Sequence, residues 1–222
     1  VTTAAVIANP RIAADLGLLG EWLDDHGIGV SRLIRDDVLA IDAADHADVL
    51  IVMGSVWTLA EGHRTVEHAA AIDAEVDLVR RWVHDDRPML GICFGGQVLS
   101  AALGGTVTRM PQRMIAWQKP ASSQAALRSS WALWHEDRFS VPNGTDLLAR
   151  ARHAPMGLGT RRAWGVQFHP EFTADIIASI ATDLNTPARK AQPMIDVARE
   201  RADALRSTST TFFDAWWDEI RR

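Results

Sequence analysis

A strand that runs into a glycine-flanked cysteine and leaves it as a helix constrains this chain more than any other stretch. Residues 88–105, Pro-Met-Leu-Gly-Ile-Cys-Phe-Gly-Gly-Gln-Val-Leu-Ser-Ala-Ala-Leu-Gly-Gly, open with a short apolar run, Met89 to Ile92, that ends at Cys93. Val98, Leu99, Ala102 and Leu103 then recur at helical spacing. Gly91 and Gly95 stand two residues to either side of Cys93, the Gly-x-nucleophile-x-Gly arrangement of a nucleophile elbow. In such a turn the nucleophile takes a strained backbone conformation, and side chains at the flanking positions would strike the strand or the helix. The turn also sets the thiol at a helix N-terminus, where the dipole and the free N–H groups favour a thiolate.

The second constraint lies downstream, at Trp164-Gly-Val-Gln-Phe-His-Pro-Glu-Phe172. Alternating Val166 and Phe168 predict a strand entering the core, and Pro170 stops it. His169 and Glu171 are then presented at the strand's carboxyl edge. A thiol nucleophile needs an imidazole to take its proton, and the imidazole needs an acceptor to fix its tautomer and direction. Cys93, His169 and Glu171 supply a nucleophile, a base and an orienting carboxylate.

Taken together, Gly91-Ile-Cys-Phe-Gly-Gly-Gln97 and Gly165-Val-Gln-Phe-His-Pro-Glu171 resemble the class I, triad-type glutamine amidotransferase family, in particular the glutaminase domain of GMP synthase and its free-standing relatives. Asp48-Val-Leu-Ile-Val-Met-Gly-Ser55 is similar to the family's oxyanion strand and loop, and Trp134-His-Glu-Asp-Arg-Phe-Ser-Val-Pro-Asn-Gly144 to its Trp-His-Gly-Asp segment. The resemblance covers residues 4–184. It implies an oxyanion site made by the N–H groups of Phe94 and Ser55, with Gly54 and Gln97 contacting the substrate. The family usually has Gly-Gly-Pro where this chain has Gly54-Ser55-Val56, which puts the pre-organisation of that loop in question. His135 is given a structural role.

The activity so implied is glutamine hydrolysis through a γ-glutamyl thioester, without a cofactor. The ammonia would go to a separate synthetase subunit, because the residues after the resembling stretch hold no glycine-rich phosphate loop. Two alternatives stand beside it: a stand-alone γ-glutamyl peptidase or hydrolase, and a regulatory module with weakened catalysis.

Composition narrows the partners. The 222 residues carry a formal net charge of −5 and no block of lysine or arginine, which disfavours nucleic acid and anionic membranes and favours a small molecule or a protein. With one cysteine there is no intramolecular disulfide and no cysteine-rich zinc site. His63 and His68, five apart, do not share a helical face, so no metal is expected there. With no apolar run of bilayer length and no signal-like N-terminus, the chain reads as cytoplasmic.

Elsewhere, short apolar runs at residues 4–8, 29–34 and 49–53 alternate with amphipathic stretches such as Leu16, Leu19, Trp22 and Leu23. Strands alternating with helices predict an α/β fold with a mainly parallel central sheet flanked by helices, the elbow following a central strand. Ligands bind beyond the carboxyl ends of such strands. Met53-Gly-Ser, Cys93 and His169 all fall there. Between Gly105 and Arg162, prolines interrupt short apolar stretches, predicting a small β-rich insertion. Residues 1–190 are expected to form the amidotransferase-like domain, and 191–222 a helical extension packed on it. Phe213, Trp216, Trp217 and Ile220 make one apolar stripe on that extension, with a partner or homodimer surface as its second reading.

Overall fold

The computed structural model describes residues 1–37 and 42–222. Strand β1 (Thr3–Ala8) leads through the short helix α1 (Pro10–Ala14) and α2 (Gly17–Asp25) to β2 (Gly29–Ile34) and then β3 (Val49–Val52). Helix α3 (Val66–His84) connects to β4 (Met89–Ile92), and the elbow helix α4 (Phe94–Ala102) follows at once. After these come β5 (Val107–Gln118), β6 (Trp131–Phe139), β7 (Asp146–Arg150), β8 (Pro155–Gly159) and β9 (Ala163–Val166). Helices α5 (Ala174–Asp183), α6 (Ala188–Glu200) and α7 (Ala202–Ile220) end the chain.

The described strands form a seven-stranded sheet in the order β2-β1-β3-β4-β9-β8-β7. From β2 to β9 neighbours run parallel, whereas β8 and β7 add antiparallel at the edge. The β-rich insertion therefore divides. Its second half extends the main sheet, while β5 and β6 form a separate antiparallel ribbon with a register shift between Arg109 and Met114.

Alternation along β1 shows why the sheet is covered on both faces. Ala4, Val6 and Ala8 enter one hydrophobic core, and Ala5 and Ile7 the other. Strands buried on both sides read as continuous apolar runs, as Val49 to Val52 do. Helix α7 closes the first core: Phe212, Phe213, Trp216 and Ile220 are buried with Trp22, Trp131 and Phe168, and Trp216 Nε1 donates to the Met89 carbonyl at 3.1 Å. Helix α6 instead packs with α5, Trp134 and Phe172 in a third cluster. The expected C-terminal stripe is thus buried against the first core, except for Trp217, which is half-buried. No described helix is long and apolar enough to cross a membrane.

Candidate active site

Cys93 occupies the one-residue turn between β4 and α4 with φ 53° and ψ −102°. A non-glycine residue there is strained and persists only where its surroundings fix it. The Cys93 N–H donates to the Val166 carbonyl at 2.7 Å, and its own carbonyl accepts the first helical bond from the Gln97 N–H at 3.1 Å. The flanking glycines answer to contact distances. A Cβ on Gly95 would lie 2.0 Å from the Val52 carbonyl oxygen, and one on Gly91 would lie 2.4 Å from the Gly95 carbonyl. Phe94 is the first residue of α4, so its N–H has no partner within the helix.

The histidine strand is shorter than its alternation predicts. It ends at Val166, Gln167 and Phe168 bend away, and the His169 N–H then donates to the Ala132 carbonyl of β6 at 2.9 Å. Alternation survives in burial, since Phe168 stays in the core, but the ladder stops because the chain turns to present the imidazole. Two further contacts clamp the next residues. Leu18 N–H donates to the Glu171 carbonyl at 3.0 Å, and Ser209 Oγ donates to the Pro170 carbonyl at 2.6 Å.

His169 Nδ1 lies 2.7 Å from Glu171 Oε1, both side chains are buried, and Phe172 stacks on the imidazole with ring centroids 3.9 Å apart. That bond fixes the Nδ1–H tautomer and leaves Nε2 free of any hydrogen-bond partner among the described residues. Burial by itself pushes the His169 pKa down. The Glu171 carboxylate and then the Cys93 sulfur outweigh it and raise the imidazole to about 10. An imidazolium at this position is the species able to protonate a leaving amine.

The Gly54-Ser55-Val56 loop leaves the end of β3 against both Cys93 and His169. A Cβ on Gly54 would lie 3.1 Å from His169 Cε1 and 3.6 Å from Cys93 Cβ. Ser55 does not send its hydroxyl into the site. Its Oγ donates to Asn9 Oδ1 at 2.7 Å and accepts from the Trp57 N–H at 3.1 Å, a local turn of the kind serine favours. Gln97 is buried and turned towards Gln167, its Nε2 lying 3.4 Å from Gln167 Oε1. Gln167 Nε2 in turn lies 3.5 Å from Cys93 Sγ.

Gly54, Ser55, Cys93, Gln97, His169 and Glu171 line a cavity of about 260 Å³ together with Trp134, Phe172, Ile176, Ile180 and Leu184. Thr58, Arg109, His135, Glu136 and Asp137 line the same cavity. Arg109 pairs with Glu136 and lies 3.0 Å from Asp137 Oδ1, and Thr58 Oγ1 donates to Asp137 Oδ2 at 2.5 Å. Burial raises the Asp137 pKa, opposed by the Thr58 hydrogen bond and by Arg109. Burial drives His135 down to about 4, and its Nδ1–H···O=C bond to Asp137, 2.8 Å long, partly opposes that. His135 is therefore neutral, and its buried Nε2 has no hydrogen-bond partner among the described residues.

Cys93, His169, Glu171, Gly54, Ser55 and Gln97 thus all line this cavity, with Phe94 adjoining as the helix's first residue. His68 instead stacks on Trp57 at 4.1 Å and bonds Thr65. No group of three metal-ligating side chains occurs among the described residues. Sequence reasoning missed Gln167, Arg109, Asp137 and the buried Arg35 beneath the Gly54 loop. A charged residue with no exposed surface leaves no mark in hydrophobic periodicity, and Gln167 was visible only as a neighbour of the histidine.

Comparison with known proteins gives the chain a family and relatives of its fold. The family model "Glutamine amidotransferase class-I" matches residues 35–177. The glutamine amidotransferase-like protein YfeJ of Salmonella typhimurium is 27% identical in an alignment 176 residues long that covers 72% of this chain and 72% of that one. A glutamine-hydrolysing GMP synthase of Legionella pneumophila is 30% identical over 136 residues, 52% of this chain but 25% of that one; this chain spans about a quarter of such synthases. Among solved structures, a glutamine amidotransferase from Thermotoga maritima superposes with a TM-score of 0.80 over 97% of both chains at 18% identity. One from Methylobacillus flagellatus gives 0.76 over 100% of this chain and 96% of its own at 20%. At those identities the likeness is one of fold.

Proposed function

Because the chain belongs to the class-I glutamine amidotransferase family, we propose that it hydrolyses the side-chain amide of glutamine through a Cys93-His169-Glu171 triad. The observation that carries this reading is that the strained Cys93 and the Glu171-oriented His169 line the same cavity. The Cys93 proton already rests on His169 Nε2, as the raised imidazole pKa requires, and the thiolate sulfur attacks the amide carbon. The tetrahedral oxyanion faces the N–H groups of Phe94 and Ser55. Its collapse breaks the C–N bond, His169 returns the proton to the departing nitrogen, and ammonia leaves a γ-glutamyl thioester. Water, deprotonated by the same imidazole, then releases glutamate and restores the Cys93 thiolate beside the imidazolium. Arg109, Glu136 and Asp137 offer both signs of charge to the zwitterionic end of glutamine. The ammonia passes to an acceptor subunit.

One observation favours a second reading. The cavity lining follows α5 from Asp175 to Asp183, about 12 Å of helix. The extended carbon chain of glutamine is about 6–7 Å long. The excess, where Ile176 and Ile180 alternate with Asp175, Ser179 and Asp183, suits a γ-glutamyl amide whose amine is larger than ammonia. Steady-state assay with glutamine and with a panel of γ-glutamyl amides separates the two. Ammonia release from glutamine, lost in Cys93→Ala, supports the first. Cleavage of γ-glutamyl amides at far higher kcat/KM than glutamine supports the second. No turnover of any of them, and no covalent adduct at Cys93 with a glutamine-like electrophile, refutes both.

A further inference from the structure

Beneath the Gly54 loop lies an ion pair with no solvent exposure in either side chain, formed by Arg35, just past the end of β2, and Glu75 of α3. Burying such a pair has a large desolvation cost, and replacing it with apolar groups is often neutral for stability. Its hydrogen bonds show what it does instead. Arg35 Nε donates to Glu75 Oε2 at 2.8 Å, and NH2 donates to Glu75 Oε1 at 3.2 Å and to the Met53 carbonyl at 2.8 Å. NH1 donates to Asn9 Oδ1 at 2.8 Å and to the Gly54 carbonyl at 3.2 Å. A guanidinium has five N–H groups in a fixed planar fork, and each has an acceptor here. The same group lies over the Phe94 ring, 4.7 Å from its centroid, and 5.9 Å from that of Trp57.

Two consequences follow from peptide geometry. A trans peptide points its C=O and N–H in opposite directions. The bond that draws the Gly54 carbonyl onto the guanidinium therefore turns the Ser55 N–H away from it, on the residue pair that also touches Cys93 and His169. Contact with the Phe94 ring ties the other half of the oxyanion site to the same anchor. The rigidity that a Gly-Gly-Pro sequence would supply by its own backbone is here supplied from below.

We infer that Arg35, held by Glu75, is a positioning residue that fixes the Gly54–Ser55 peptide with its N–H turned towards the substrate carbonyl. The inference rests on the amidohydrolase reading and extends it to what builds the oxyanion site. Lysine cannot substitute, since a single ammonium with three donors cannot reach Glu75 and both carbonyls in one plane.

The test compares Arg35→Lys and the charge-free double variant Arg35→Met with Glu75→Met against the parent chain. Loss of an oxyanion donor costs about 100-fold in kcat. Both variants are expected to fall by about that factor, with KM within a few-fold. Alkylation of Cys93 by iodoacetamide, which requires the thiolate but builds no oxyanion, is expected to keep its parental rate. Retention of kcat by either folded variant overturns the inference, as does an alkylation rate that falls in step with kcat. If thermal melts show the double variant unfolded, Arg35→Lys, which preserves the charge opposite Glu75, carries the comparison. If the parent turns over no amide, the amidohydrolase reading fails by itself. The crystal structure of Arg35→Lys then still decides: a Gly54 carbonyl kept in its parental direction refutes the positioning role, and a turned peptide supports it.

Discussion

Gly54 and His169 meet with no room for a side chain between them: a Cβ on the glycine would stand 3.1 Å from the imidazole Cε1. That spacing is tighter than ordinary van der Waals contact, so one of the two must shift by a few tenths of an ångström. The glycine has no special backbone angle to protect, and its requirement is proximity to His169, the proposed base. Gly54→Ala is expected to fold with a Tm near the parent's yet lose about 10- to 100-fold in kcat, because small misplacements of a catalytic group are costly. An alanine variant with parental kcat would show that the imidazole can move without consequence.

The elbow allows strain and chemistry to be measured separately. Cys93→Ala and Cys93→Gly both remove the sulfur, but only glycine adopts φ 53° and ψ −102° without penalty. Strain of this kind amounts to about 1–3 kcal/mol, and glycine returns about 0.5–1 kcal/mol in unfolded-state entropy. Denaturant titration is expected to find Cys93→Gly more stable than Cys93→Ala by about 1 kcal/mol, with neither variant active. Equal stabilities would argue that the turn is not strained.

Much of this was legible in the sequence because the site is built from local patterns. The elbow lies within five residues, Gly91 to Gly95, and the distances that demand its glycines, to Val52 and to the Gly95 carbonyl, follow from strand meeting helix. His169 and Glu171 are two residues apart, so their 2.7 Å bond needs no long-range knowledge. The parallel sheet followed from alternating apolar runs and helical stripes. What was not legible depends on pairs far apart in the chain. Arg35 and Glu75 are separated by forty residues, and only the packing of α3 beside β3 brings them together. The split of the β-rich insertion into a ribbon and an edge of the main sheet is likewise a matter of pairing, which prolines and short apolar runs do not specify.

Two histidines give the fold opposite pH slopes. His135, held down at about 4 against 6.5 in an unfolded chain, must be neutral in the native state. Between those values the unfolded chain binds the extra proton, so stability is present above pH 6.5 and is lost as pH falls through that window. The loss is bounded at about 3 kcal/mol. His169, raised to about 10 by Glu171 and Cys93, contributes stability in full below pH 6.5 and loses it as pH rises towards 10. Thermal melts from pH 4 to pH 10 should show both arms, with His135→Gln flattening the acid arm and His169→Gln the alkaline one. An acid arm unchanged in His135→Gln would assign that loss to other groups.

The C-terminal helix reaches the segment that carries the proposed base through the Ser209 hydroxyl. Ser209, buried on α7, donates to the carbonyl of Pro170, the residue between His169 and Glu171, at 2.6 Å. No other hydrogen bond to that carbonyl occurs among the described residues, so Ser209→Ala leaves a buried acceptor unmet at a cost of about 1–3 kcal/mol. The Phe212, Phe213 and Trp216 packing that anchors the helix is untouched, so the variant should still fold with a lower Tm. Because the lost bond sits between base and orienting carboxylate, kcat is expected to fall several-fold while KM holds. A drop in Tm with kcat unchanged would mean that the Ala132 and Leu18 contacts alone hold the segment, and that α7 supports the fold without steering the imidazole.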